Sequence, residues 1–358
     1  MEIGIVGLPG SGKTTVFNAV AGARVQVGTF SSAQTAPNRA VVKVPDPRVD
    51  VLSEMFQPKS IKPAEVQFVD VAGLAKGAGL ESEAAILGHL RTVDALLLVV
   101  NAFLDGADAD SALADVSSLE ATFILSDLEV VDRRVERLDR EVKMARGADV
   151  ERQVKARELE LLARLRDALN EERPVRSVEL SDEEHGLLRG YGLLSEKPLL
   201  VVLNSGDDRA QGDTSLASAR AKRPELEWFA IPGRLEMELS ELEKEDAAEF
   251  MDAMGITELS AGPIIQAAYR VLDRISFLTA GADEVRAWTI RRGDSALEAA
   301  AAIHSDLARG FIRAEVVAYD DLVDAGSFAE ARKRGRLRSE GKAYVVQDGD
   351  VINILFNV

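Results

Sequence analysis

The stretch from Gly7 to Thr14, GLPGSGKT, leaves fewer folds open to this chain than any other feature. Its glycines let successive backbone N–H groups turn toward one point and form a nest for anionic oxygens. Lys13 adds a point charge there. Thr14 adds a hydroxyl at the start of a predicted helix whose N-terminus faces the same point. Just upstream, IGIVG (from Ile3) reads as a buried strand. Strand, glycine-rich loop and helix in that order make a phosphate loop. Pro9, Gly10, Ser11, Gly12, Lys13, Thr14 and Thr15 are therefore the expected phosphate-binding set. Lys13 suits the β- and γ-phosphates and the transition state, and Thr14 suits Mg²⁺.

Four further apolar runs, VQFVDVAG (from Val66), ALLLVVN (from Ala95), LLVVLN (from Leu199) and WFAIPG (from Trp228), end at polar or turn residues. Runs apolar on both faces suit an α/β parallel sheet covered by helices. Such sheets bind ligands beyond the carboxyl ends of their strands. Asp70 ends one run, as expected of the carboxylate that orients Mg²⁺, commonly through water. Gly73 follows as a backbone donor to a γ-phosphate and a second candidate for transition-state stabilisation. At Leu74, where many GTPases carry a water-orienting glutamine, the side chain cannot hydrogen-bond, which predicts slow intrinsic turnover. In the polar loop before Asn38, Thr35 is a candidate hydroxyl for Mg²⁺ and the γ-phosphate. AKGAGLESEA, after Leu74, reads as a switch segment.

From Ser117 the texture changes. Leu128, Val131, Val135, Leu138 and Val142 form one apolar stripe at helical spacing, and Ser117 with Glu120 reads as a capping box. RGAD around Gly147 breaks the stripe, and ARELELLARLRDAL resumes it until Pro174. These segments predict a helical hairpin. Beyond a boundary near Ile275, EVRAWTI, a helix from Ser295, FIRAEVVAY and AYVVQDGDVINILF suggest a small β-grasp-like module. Its last segment is expected to fold back as a hairpin at Asp348-Gly349.

Composition narrows the function classes. The 358 residues include no cysteine and three histidines, which excludes disulfides and thiolate metal sites and leaves little for zinc. A formal charge of −17 opposes nucleic acid on average, so sequence-specific DNA binding is not expected. The basic run ARKRGRLRSEGK, from Ala331, reads either as a solvated helix face or as an RNA or ribosome contact. The start MEIGIVG carries no basic leader and the apolar runs are too short for a bilayer, so a cytoplasmic protein without membrane association is expected.

NSGD closes the fourth run. Behind a phosphate loop and a Mg²⁺-orienting aspartate, Asn204, Ser205 and Asp207 become the expected base-reading edge. Asp207 suits guanine N1–H and N2–H₂. Asn204 and backbone groups around Ser205 suit adenine N6 and N7.

Taken in order, the phosphate loop, APNRAVVKVPDPR, FVDVAGLAKGA, the hairpin, NSGD and the stretch from FLTAGADEVRAWTI to the end resemble the Obg-like YchF ATPases over essentially the whole chain. The resemblance implies a Ras-like P-loop NTPase core (1–114 and 196–274), an inserted coiled-coil hairpin (115–195) and a ubiquitin-like TGS β-grasp domain (275–358). It also implies a ribosome-associated nucleotide switch preferring ATP to GTP, and it is consistent with a hydrophobic residue at Leu74. The chain departs from that pattern in places. Gly10 stands where the family usually has asparagine, Gln34 occupies the usual switch-threonine position beside Thr35, and Asp207 replaces a glutamate. The expected function is a slow Mg-ATP-hydrolysing switch bound to the ribosome or an associated factor. A GTP-preferring enzyme, or a ribosome-binding module whose turnover is incidental, are the alternatives. A small-molecule kinase is weaker, because no acceptor site or lid stands out.

Overall fold

The computed structural model describes residues 1–22, 37–71, 74, 80–104, 108–144, 149–206 and 209–357. Its strands are β1 (Glu2–Val6), β2 (Asn38–Lys43), β3 (Ser60–Lys62), β4 (Glu65–Asp70), β5 (Ala95–Ala102) and β6 (Leu199–Ser205). They continue as β7 (Glu227–Ile231), β8 (Arg274–Ala280), β9 (Glu284–Arg291), β10 (Phe311–Ala318), β11 (Arg338–Glu340) and β12 (Asp350–Phe356). Two compact units result: Met1–Ala40 with Gln67–Ala261, and Val41–Val66 with Gly262–Val358.

The first unit is built on a sheet ordered β2-β4-β1-β5-β6-β7. The pairs β1–β4, β1–β5, β5–β6 and β6–β7 are parallel, as the doubly apolar runs predict. Leu96 to Val100 are at most 1% exposed, so β5 is buried on both faces. The phosphate loop, Asp70 and Asn204 all lie at the carboxyl ends of neighbouring strands.

The hairpin consists of helices Ala109–Met144 and Asp149–Asn170. Val131, Leu138, Leu161, Leu162, Leu165 and Leu169 form its seam. Its first helix starts eight residues before the predicted capping box. Asp108 caps it instead, accepting from Ser111 N at 2.9 Å. Ser117, inside the helix, donates its hydroxyl back to Leu113 O. Glu120 turns inward to Arg176 and Arg223, so its carboxylate serves a buried ion-pair cluster rather than a helix end. The early start lets Ala112, Val116, Leu119 and Phe123 join the sheet's core, which explains why the apolar pattern runs on unbroken. At the hairpin's base, buried Asp127 accepts from Leu194 N, Ser195 N and Arg91 Nη1 at 2.9, 2.7 and 3.1 Å.

The second unit carries a sheet ordered β11-β10-β12-β8-β9-β3. The β8–β9 hairpin is followed by helix Ala296–Ile303. The first and last strands of the module, β8 and β12, lie parallel at its centre, which is the expected β-grasp arrangement. Two features differ from the sequence reading. RISFLTA, not read as a strand, forms β8. The expected hairpin at Asp348-Gly349 is absent: β12 pairs with β10 and β8, while Val345 makes only an isolated bridge to Ser295. Ile352 and Ile354 are buried between strands, which a terminal hairpin at the sheet edge would not achieve. Segment 41–66 also belongs to this unit. Arg48, from helix Pro47–Phe56, bonds Asp348 at 2.9 Å, and β3 pairs with β9. That allocation has no local sequence signal.

Candidate functional site: a phosphate loop and a base edge

The phosphate loop takes its shape from close packing below and glycine above. A Cβ on Gly7 would lie 2.3 Å from Val99 O, so the loop leaves β1 directly against β5. Gly10 and Gly12 have φ of 80° and 83°, left-handed values that cost other residues strain. Ser11 N donates to Leu8 O at 3.2 Å, and Val16 N donates to Gly12 O at 2.9 Å as the helix Lys13–Ala21 begins. Pro9 and Gly10 are exposed at the tip, where Pro9 offers no N–H, and Thr15 is half-buried. Ser11 Oγ is buried with no hydrogen-bond partner among the described residues.

Lys13 is 5% exposed, and its Nζ donates to Leu8 O at 3.3 Å. Burial pulls its pKa below the ordinary lysine value, and the charge of Asp70 opposes that shift. Thr14 Oγ1 donates to Asp70 Oδ2 at 3.0 Å. Burial pushes Asp70 above the usual carboxylate range, against the bond from Thr14, the charge of Lys13 and a bond from the Asn38 side chain. One cation, one carboxylate and one hydroxyl thus share a partly dry site at the mouth of an anion nest.

At the end of β6, Asn204 is 4% exposed, and its Nδ2 donates to Ser11 O at 3.0 Å. Ser205 is buried beside it. Phe103, 41% exposed, sets its ring beside the space above Gly12 and its Cβ beside that above Gly206. The structure therefore brings together the predicted residues from Pro9 to Thr15 with Asp70, Asn204 and Ser205. Thr35, Gly73 and Asp207 lie outside the described residues. Leu74 is 5% exposed and belongs to the hydrophobic core. Among the histidines, His185 is exposed near Glu196, and His304 joins two short helices rather than lying within one. Sequence reasoning missed Asn38 and Phe103. Asn38 stood in the quoted PNR, but its bond to Asp70 needs the β2–β4 pairing, and Phe103 follows β5 in a bend with no signal of its own.

This architecture has known relatives. A family model described as "50S ribosome-binding GTPase" matches residues 2–142. A second, the C-terminal YchF-GTPase model described as "Protein of unknown function (DUF933)", matches residues 274–357. The "Ribosome-binding ATPase YchF" of Bacillus subtilis is 39% identical, with 100% of each chain covered. The chain belongs to the YchF family. The Pasteurella multocida YchF is 36% identical over 100% of this chain and 99% of its own. The solved structure of the Schizosaccharomyces pombe YchF GTPase superposes with a TM-score of 0.85 at 30% identity, covering 99% of this chain and 97% of that one. YchF membership accounts for the shared order of phosphate loop, hairpin and C-terminal β-grasp module.

Proposed function

We propose that this chain is a slow, Mg²⁺-dependent ATP-hydrolysing switch that works on the ribosome. It is a P-loop NTP phosphohydrolase, the enzyme class to which its family and phosphate-loop fold belong. The observation that carries the reading is the bond between Thr14 and Asp70 beside buried Lys13, at the rim of the glycine nest. Their donor set fits Mg²⁺: a hydroxyl and a carboxylate are hard oxygen ligands. Among the described residues no group of three His, Cys, Asp or Glu side chains could hold a metal, which leaves most of the coordination sphere to phosphate and water. Thr14 and Asp70 would hold the ion, with Thr35 as a further hydroxyl. When bound, the ion neutralises charge on the β- and γ-phosphate oxygens.

The amides of Gly10 to Thr15 cradle the phosphates, Lys13 counters the charge of the transferred group, and Gly73 supplies a backbone donor. The buried Leu74 side chain supports slow turnover, since it can neither donate to nor accept from an attacking water. Asn204, Ser205 and Asp207 read the base, and Phe103 offers it an apolar face. The names of the bacterial relatives favour ATP and a ribosome partner, while the fission-yeast relative, called a GTPase, keeps GTP as the second reading. The first compact unit acts as the NTPase domain and carries the helical hairpin as its partner-binding arm, and the second, which includes segment 41–66, acts as a TGS domain. Among the described residues no helix is long and apolar enough to cross a membrane, which suits the cytoplasm proposed here.

Comparing ATP and GTP affinity for the wild type and Asp207→Glu tests the base assignment. A strong GTP preference in the wild type would overturn it. Co-sedimentation with ribosomes, with ATP and with a non-hydrolysable analogue, tests the switch: binding that ignores the nucleotide would leave only an accessory module.

A further inference from the structure

The last strand of the second unit is fully paired on one side and largely open on the other. β12 runs antiparallel to β10 over its whole length, from Asp350 opposite Ala318 to Phe356 opposite Phe311. Toward β8 it pairs only at Val351, opposite Leu278. β8 meanwhile keeps its other partner, β9, as far as Ala280 opposite Val285. The two central strands therefore part at their carboxyl ends. From Asn353 onward, every second residue of β12 turns its N–H and C=O away from β10, and no strand pair receives them.

A cavity of about 630 Å³ occupies that gap. Residues 279–284 line one side, and Ile352, Asn353, Ile354 and Phe356 line the other. Consecutive strand residues face opposite ways, so a lining that includes both Asn353 and Ile354 opens between strands rather than on one face. On one face Ile303 and Leu307 pack with Ile354 in an apolar wall. On the other, Arg332 and Asn353 donate to Glu315 at 2.6 and 3.3 Å, beside Phe328 and Leu337. The lining holds three carboxylates, Asp283, Glu284 and Glu315, against the single guanidinium of Arg332. Gly281, in the turn after β8, has no positive φ, and no atom lies within 4 Å of where its Cβ would stand.

We propose that this gap is a docking site for an extended segment of a partner protein, which adds a strand along the free edge of β12. An open edge offers main-chain bonds to an extended chain, and pockets for alternate side chains supply the specificity. One set of alternate side chains would meet Ile303, Leu307 and Ile354. The other set would meet Glu315 and the carboxylates of the turn. The segment that fits therefore alternates apolar and basic residues over roughly 13 Å, the span of four extended positions. A nucleic acid strand fits less well, because its phosphates would face three carboxylates. The gap lies wholly within the second unit, so docking there requires nothing of the phosphate loop.

A blocked heptapeptide of alternating lysine and valine, titrated into the full chain by calorimetry, tests the site, with amide hydrogen exchange to locate the peptide. Protection should rise at residues 280–282 and 353–356 and stay unchanged in the helical hairpin. Methylating the peptide's alternate backbone nitrogens, in the register that faces β12, should weaken binding about tenfold, the loss of at least one main-chain bond. Replacing its lysines by glutamates should weaken binding by at least about threefold. Ala282→Trp and Gly281→Leu add bulk beside the cavity, at an exposed position and at one with open space. Each should weaken binding about tenfold without lowering Tm. No binding, protection elsewhere, or equal affinity for the methylated or the acidic peptide would each overturn the proposal. So would a single-stranded RNA oligomer that protects these residues where the peptide does not. Should both bulky variants unfold the module, the methylated peptide on the wild type decides the matter alone.

Discussion

GLPGSGKT carries one cation and ARKRGRLRSEGK carries six, and the fold treats them in opposite ways. In the basic run every guanidinium, and Lys333, meets a carboxylate: Arg332 meets Glu315, Lys333 meets Glu330, Arg334 meets Asp324, Arg336 meets Asp321, and Arg338 meets Glu340. These pairs are solvated and worth little each. In the phosphate-loop site Lys13 and Asp70 are buried, both shifted toward their neutral forms by lost solvent, and the Ser11 hydroxyl has no partner among the described residues. With 60 acidic against 43 basic side chains, an exposed cation on this chain readily finds a partner. Burial instead removes the solvent that would stabilise the charge. The density of charge in a sequence thus says less about a site than the solvent that charge has lost. The contrast also favours the solvated face over an RNA contact for residues 331–342.

Lys13→Met tests the contrast most severely. Removing the charge should weaken ATP binding by about a hundredfold, the worth of about two charge-assisted bonds. It should also stabilise the nucleotide-free protein by roughly 1 kcal/mol, because a desolvated charge disappears. Calorimetric titration and thermal melts check the two halves. A destabilised free protein would mean that the site carries its charge without cost.

Asp70→Asn puts a pH axis on the same idea. A carboxyl raised by burial favours the folded state below its unfolded value, near 3.8, and loses that contribution as pH rises through the higher folded value. Without nucleotide, the wild type should therefore lose stability relative to Asp70→Asn as pH rises above about 3.8. A flat difference in Tm across that range would remove the desolvation argument. Ser11→Ala, which deletes the orphaned hydroxyl, should raise the free protein's stability by roughly 1 kcal/mol or less. The smallest effect belongs to the basic run. Replacing Arg332, Arg334 and Arg336 together by Gln should cost under about 1 kcal/mol and leave ribosome co-sedimentation unchanged. Loss of that binding would break the comparison by making the run a contact surface after all.

Much of the site was legible because it is contiguous. Residues 7–15 carry their own geometry, and Asp70 and Asn204 each sit where an apolar run stops. Asn38 and Phe103 were not legible beside the site, since each lies near a group distant in sequence that only strand order brings close. Ser117 and Glu120 misled for a related reason. Capping-box spacing is common, and what cancelled it was Asp108 starting the helix earlier and Arg176 and Arg223 drawing Glu120 inward.

Periodicity and glycine placement act over a few residues, so the chain's own pattern specified the parallel sheet, the phosphate loop, the helical hairpin and the kind of C-terminal module. Folding in three dimensions was needed to assign segment 41–66 to the C-terminal unit and β12 to the centre of its sheet. It was needed equally to set Gly7 against Val99. The physical reason is the same in each case. Hydrogen-bond pairing between strands and the exclusion of a single methyl group depend on which surfaces meet, and no local pattern records that meeting.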